Sequence, residues 1–229
     1  AAGMMPVLLD IEKGSLDFSP RTLGDALAND SSIKAVILQN TLGFPCEGKE
    51  IAAICKERDV VLIEDLAHSV GARDPGGSAL GPLGAMHVLS FGQDKAVDAV
   101  SGGALVIRNA QYVSRAEQPK NDVPLKKQLK DRFYPRFTWD IRSTYRWYGR
   151  WEHTFLRAVH ALPRGLESGS GPSKLPDWYT PLILRQFSKL SKVQEHRRAI
   201  AKIYAEALDS SVVRPGITSK FEDSANLRF

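Results

Sequence analysis

Three short aliphatic runs between Val60 and Ile107 constrain this chain more than any other feature. The first, Val60-Val61-Leu62-Ile63, is closed by two acids, Glu64 and Asp65. The second, Met86 to Phe91, follows a glycine-rich loop, and the third, Ala104 to Ile107, follows Ser101-Gly102-Gly103. Each run has strand length and turn residues at its borders. Near-continuous apolar runs of this kind suit strands buried on both faces, in a parallel sheet covered by helices. Sites in open α/β sheets form at the carboxyl ends of such strands. Asp65 falls at the end of the first run, Ser90 near the end of the second, and Lys95 four residues beyond it. A carboxylate, a hydroxyl and a primary amine are thereby directed to one rim.

That trio meets the needs of pyridoxal phosphate. The cofactor takes a lysine amine on its aldehyde and a carboxylate that keeps its pyridine nitrogen protonated. It also takes hydroxyl and backbone donors on its phosphate. The same residues carry a family resemblance. Glu64-Asp65-Leu66-Ala67-His68-Ser69-Val70-Gly71-Ala72 resembles the EDxAHxxGA stretch of the DegT/DnrJ/StrS nucleotide-sugar aminotransferases. Ser90-Phe91-Gly92-Gln93-Asp94-Lys95 is similar to their SFxxxK, and Ser101-Gly102-Gly103-Ala104 to the end of their GEGGA. Pro6 to Ile11 is similar to their early PVFVDID strand, and Gly43-Phe44-Pro45-Cys46-Glu47 to their GxPAD turn.

The resemblance implies an α/β fold, the large domain of a fold-type I aminotransferase. Its sheet is mostly parallel with flanking helices, here incomplete at both ends and carrying a helical insert. It implies pyridoxal phosphate attached to Lys95, with Asp65 on the pyridine nitrogen, His68 near the ring hydroxyl and Ser90 at the phosphate. It further implies an amino-acid donor, glutamate in this family's chemistry, a keto-sugar nucleotide as acceptor, and a homodimer. A related dehydratase branch replaces the lysine by histidine, so Lys95 points to amino transfer. A regulatory or binding protein on the same scaffold is the alternative. The Gly-Glu expected before the paired glycines is Val100-Ser101, and this change together with the missing ends of the family pattern keeps it open; separately, Pro172-Ser173 stand where the family carries an asparagine that reaches the partner subunit's cofactor phosphate.

Around this centre the chain reads as alternating elements. Pro6 to Ile11 is expected as a strand, with a turn at Lys13-Gly14. A helix follows from Ser19-Pro20 to Leu27, serine capping and proline in the first turn. Ala35 to Leu38 is a strand, Asn40 to Pro45 a loop, and Glu47 to Arg58 an amphipathic helix with Ile51, Ile54 and Cys55 on one face. Pro181 to Leu208 is a long helix with an apolar stripe, resembling the family's helix at this point, with Gln186, Arg197-Arg198 and Tyr204 in matching places. Ala225 to Phe229 reads as the start of a strand. The expected parts are a cofactor-binding core (1–110), an insert (111–173), and the long helix with the start of a small C-terminal domain (174–229). Both ends of the family pattern are missing, so the chain is expected to be a fragment of a longer protein.

The insert differs from its flanks. It holds 10 of the 19 aromatics and three of the four tryptophans, Trp139, Trp147 and Trp151. Phe133, Phe137, Ile141, Tyr145 and Tyr148 recur at helical spacing, continued by Trp151, Phe155 and Val159. Arginines interleave throughout 132–160. Between Gln111 and Lys174, 13 Lys+Arg against 6 Asp+Glu give +7, which leaves +5 − 7 = −2 for the rest. One or two basic, aromatic-rich helices are expected, closed by a flexible linker from Gly165 to Pro172. Three readings stand side by side: packing on the sheet domain or on a partner subunit, peripheral contact with an anionic membrane through 132–160, and nucleic acid, the least favoured. On each of them the insert lies outside the chemistry.

Cys46 and Cys55 form neither a disulfide framework nor a metal spacing, and His87, His153, His160 and His196 have no ligand spacing. No bound metal is expected, and the compartment is expected to be cytoplasmic, with the insert placing the chain against the inner membrane face if it is interfacial. No apolar run approaches the roughly 20 residues of a membrane span, and no signal peptide is visible at Ala1.

Overall fold

The computed structural model describes residues 3–13, 15–162, 172–208 and 223–226. Four strands form one sheet in chain order: β1 (Ala35–Gln39), β2 (Val61–Asp65), β3 (Met86–Ser90) and β4 (Gly103–Ile107). β1, β2 and β3 are parallel, and β4 returns antiparallel to β3. The register aligns Ile37, Ile63, Met86 and Ile107 in one row, and Gln39, Asp65, Val88 and Leu105 in the next row on the same face.

The opposite face is the covered one. Val36, Leu38 and Leu62 pack against Leu23 and Leu27 of α1 (Pro20–Asn29) and Ile51 and Cys55 of α2 (Gly48–Glu57). α1 starts where serine and proline predict, with the Ser19 hydroxyl accepting from the Thr22 amide. Farther along the sheet, Leu89 and Ala104 meet Ile183 and Leu190 of α5 (Tyr179–Ala207). α5 begins two residues before Pro181, which stands in the first turn, where an amide has no helical partner to lose.

The expectation of strands buried on both faces is therefore corrected. Ile37 is 64% exposed and Leu105 53%, because α1, α2 and α5 all lie on the other side. The expected strand from Pro6 to Ile11 is also absent. Among the described residues no strand lies alongside it, Pro6 offers no amide, and Val7, Leu8 and Ile11 stay exposed. Ala225 and Asn226 are buried but not in a strand, and the remainder of that expected strand lies outside the described residues. So do residues 165–171 of the expected linker.

The insert forms α3 (Leu125–Ser143), a π turn (Tyr145–Gly149) and α4 (Arg150–Ala158). The Gly149 amide bonds the Thr144 carbonyl at 3.0 Å, and a Cβ on Gly149 would come within 2.5 Å of the Ile141 carbonyl oxygen, so glycine lets the two helices close on each other. Ile141 and Asp131 are buried, but Trp139, Trp147 and Trp151 are 68%, 84% and 78% exposed. Packing on this chain's sheet does not account for the tryptophans. No described helix is long and apolar enough to cross a membrane.

Candidate active site

β2 ends on Asp65 and β3 on Ser90. Because the two strands are parallel, both residues reach the same edge of the sheet. Asp65 registers beside Val88, two residues before Ser90, so Asp65 and Ser90 share the open face. The Ala67 amide donates to Asp65 Oδ1 at 2.9 Å, an Asx turn that starts the 66–71 bend. His68 is half-buried in that bend, and Ser69 beside it is buried.

Beyond Ser90 the chain loops out. Phe91 closes the neck of the loop: its amide donates to the Gly102 carbonyl, and its carbonyl accepts from the Ala99 amide, both at 2.9 Å. Its ring stands edge-on to Phe187 of α5, centroids 5.9 Å apart. Lys95 sits half-buried within this loop, its amide bonding the Gly92 carbonyl at 3.3 Å. Val100 takes φ +72. That is left-handed backbone, which costs a β-branched residue about 1–3 kcal/mol. In the motif that this loop resembles, glycine stands at this place, the residue for which such a φ carries no strain.

α3 lies along this loop. Burial pushes the Tyr134 hydroxyl above its ordinary range, with Asp98 and Asp94 of the loop adding to the shift and Arg142 opposing it. The Asp98 carboxyl is also raised, mainly by desolvation, with Asp94 adding and Arg142 again opposing.

Two acids carry more of this region than their sequence context suggests. Glu64 is 1% exposed on the covered face. Its carboxylate accepts from the amides of Gly81 at 3.2 Å, Leu83 at 3.0 Å and Gly84 at 2.7 Å. Three charge-assisted bonds replace the water that a buried carboxylate loses, and they tie the loop entering β3 to the end of β2. The sequence signal is an acid in phase with Leu62, on the side that ought to be apolar. The second is Asp131 of α3, bonded to Tyr179 and Lys127; its only sequence signal is the Lys127–Asp131 spacing of four.

Cavities of about 420 Å³, between the 66–73 bend and α5, and 210 Å³, at the start of α2, lie on the covered side and are not lined by Asp65, His68, Ser90 or Lys95. Asp65, His68, Ser90 and Lys95 are all half-buried. Among the described residues no cluster of histidine, cysteine and acids is arranged for a metal.

A mostly parallel sheet with a lysine loop after one strand and an aspartate ending its neighbour defines the large domain of a fold-type I pyridoxal phosphate enzyme. The chain belongs to the DegT/DnrJ/EryC1/StrS aminotransferase family, whose profile matches residues 1–227. It is 24% identical over 205 residues to the uncharacterized protein MJ1066 of Methanocaldococcus jannaschii, covering 90% of this chain and 46% of that protein. It is 32% identical over 116 residues to EpsN of Bacillus subtilis, a putative pyridoxal phosphate-dependent aminotransferase by name, covering 49% of this chain and 30% of EpsN. Among solved structures, DesI with its TDP-sugar product superposes with a TM-score of 0.63 at 22% identity, over 98% of this chain and 48% of DesI. The chain thus spans about half the length of such relatives or less. The cofactor of the family is pyridoxal phosphate; at the sheet edge the structure brings together one carboxylate, Asp65, and one hydroxyl, Ser90, with Lys95 and His68 in the loops that follow them.

Proposed function

We propose that this chain is the lysine-bearing part of an aminotransferase that moves an amino group from an amino acid, glutamate, to a keto-sugar carried on a nucleotide. The observation that carries the reading is the shared edge, with Asp65 and Ser90 ending neighbouring parallel strands on one face and the Lys95 loop following directly. When bound, pyridoxal phosphate supplies an electron sink for the substrate's α carbon. Lys95 would hold the cofactor through Nζ. An ordinary lysine, with a pKa of about 10.4, is protonated at neutral pH and a poor base. Lys95 Nζ would be the group that takes the substrate's α proton as base and returns it as acid. Asp65 spends Oδ1 on the Ala67 amide, which leaves Oδ2 to hold the proton of the pyridine nitrogen. Ser90 would donate to the phosphate, and His68 would serve the ring hydroxyl. A second copy of the protein completes the site.

Borohydride reduction of the full-length protein with pyridoxal phosphate, followed by peptide mass spectrometry, tests this reading. The reduced adduct maps to Lys95 and disappears in Lys95→Ala. An adduct on another lysine overturns the site. No adduct at all favours a binding protein on the same scaffold, a reading that Val100-Ser101 supports.

The insert supports a second reading, peripheral contact with the cytoplasmic membrane face. No residue of α4 is buried, and Trp147, Trp151 and Phe155 turn to solvent among Arg146, Arg150 and Arg157. Exposed aromatics interleaved with arginine suit a surface that is half apolar and half anionic. Sedimentation with anionic vesicles falls in Trp147→Ser/Trp151→Ser and at high salt. Partition that neither change affects removes this reading.

A further inference from the structure

The buried charge of α3 is aimed at the Lys95 loop. Asp131 is 1% exposed. Its Oδ2 accepts from the Tyr179 hydroxyl at 2.5 Å and from Lys127 Nζ at 3.0 Å. The same ammonium donates to Ser101 Oγ at 2.8 Å. Tyr179 is fully buried at the start of α5, and its hydroxyl is held far above its ordinary range by burial and by Asp131, so it stays a donor. α3, α5 and the far end of the Lys95 loop therefore meet at one carboxylate. Beside it, Leu175 lies 3.1 Å from where a Cβ on Gly102 would stand, at φ +102, so only glycine lets the chain before α5 close on the loop. A buried ion pair is a poor source of stability, and its best-attested use is to fix one geometry.

We propose that Asp131 and Lys127 are positioning residues for the Lys95 site: Asp131 orients the Lys127 ammonium, and the ammonium holds Ser101 and with it the loop that presents Lys95. The functional half of this inference rests on the Lys95 reading above; the mechanical half stands without it. It makes α3 part of the site's framework, against the expectation that the insert lies outside the chemistry. Ser101 occupies the place of the family motif's glutamate, and a cation already stands opposite that place.

Hydrogen exchange at the amides of 92–103 tests the mechanical half in the intact chain, with the rate at which a small amine-reactive ester labels Lys95 as a second readout. Lys127→Met and Ser101→Ala each speed exchange of these amides about tenfold or more, and the double variant goes no further than Lys127→Met alone, because that variant already lacks the Ser101 link. Lys127→Arg keeps the charge and retains protection. Asp131→Asn loosens the same amides and raises Lys95 labelling. If it fails to fold, Lys127→Met decides, since that side chain is 32% exposed and its loss leaves no buried vacancy. Unchanged exchange in Lys127→Met and Ser101→Ala, or effects of the two that add, overturns the proposal. A missing borohydride adduct on Lys95 overturns the cofactor reading alone and leaves the exchange result to judge the clamp.

Discussion

The two faces of the sheet are built from the same kinds of residue and have opposite surroundings. Val36, Leu38 and Leu62 lie under helices, whereas Ile37, Val88 and Leu105, on the opposite face of the same sheet, face outward. The covered face holds the core and Glu64; the open face holds Asp65 and Ser90. Aliphatic content specifies a strand, but a helix on that side is what buries it. The donors proposed for the cofactor are placed by the sheet without being enclosed by it. An apolar face left open in water is an association surface.

The sharpest way to break this comparison is to truncate both faces alike. Leu38→Ala, in the core, costs about 2–5 kcal/mol, whereas Ile37→Ala next to it stays within about 0.5 kcal/mol. Urea unfolding of the two variants measures both. An equal loss in Ile37→Ala shows that the open face is covered in solution. The adjacent acids give a second contrast. Glu64→Gln turns an amide nitrogen toward backbone donors and costs about 1–3 kcal/mol of stability. Asp65→Asn leaves the fold and cofactor binding largely intact and collapses turnover in the full-length protein. Near-normal turnover in Asp65→Asn refutes its role at the ring nitrogen.

Val100→Gly moves in the other direction. Relief of the left-handed strain outweighs the entropy that glycine adds to the unfolded chain, for a gain of about 1 kcal/mol by thermal unfolding. A loss places the favourable packing of the Val100 side chain above its strain. The smallest effect lies on the covered side. Lys49 Nζ, 2.7 Å from Asp74, and the Ser78 amide hold the Asp74 carboxyl below its ordinary range. A depressed carboxyl contributes stability that is present above its unfolded pKa of about 4 and is lost as the pH falls through its folded value. Asp74→Asn therefore lowers stability slightly at pH 7 and flattens the decline below about pH 4. A decline of unchanged steepness excludes the pair as a source of acid sensitivity.

The four strands were legible because each aliphatic run is bounded by turn residues, and Asp65 and Lys95 stood out by their place at or after run ends. Pro6 to Ile11 misleads because its composition cannot show whether an edge stands beside it to pair with. Glu64 hides because its partners are backbone amides 17 to 20 residues away, which no residue pattern marks. Asp131 hides for a related reason: Lys127 is visible one helical turn back, but Tyr179 arrives 48 residues later. In the insert, spacing foretells helices, yet the side on which the tryptophans lie depends on how α4 folds back at Gly149. The strands were thus readable, where local order decides them, and the contacts of Glu64 and Asp131 were not, because distant segments make them.

The double bond of Phe91 to Ala99 and Gly102 makes the Lys95 loop a ring sealed at its base. Val100 and Ser101, where the chain departs from the family motif, both lie between the two closing bonds. Ser101, which takes the bond from Lys127, is therefore at the hinge of the ring and not at its tip.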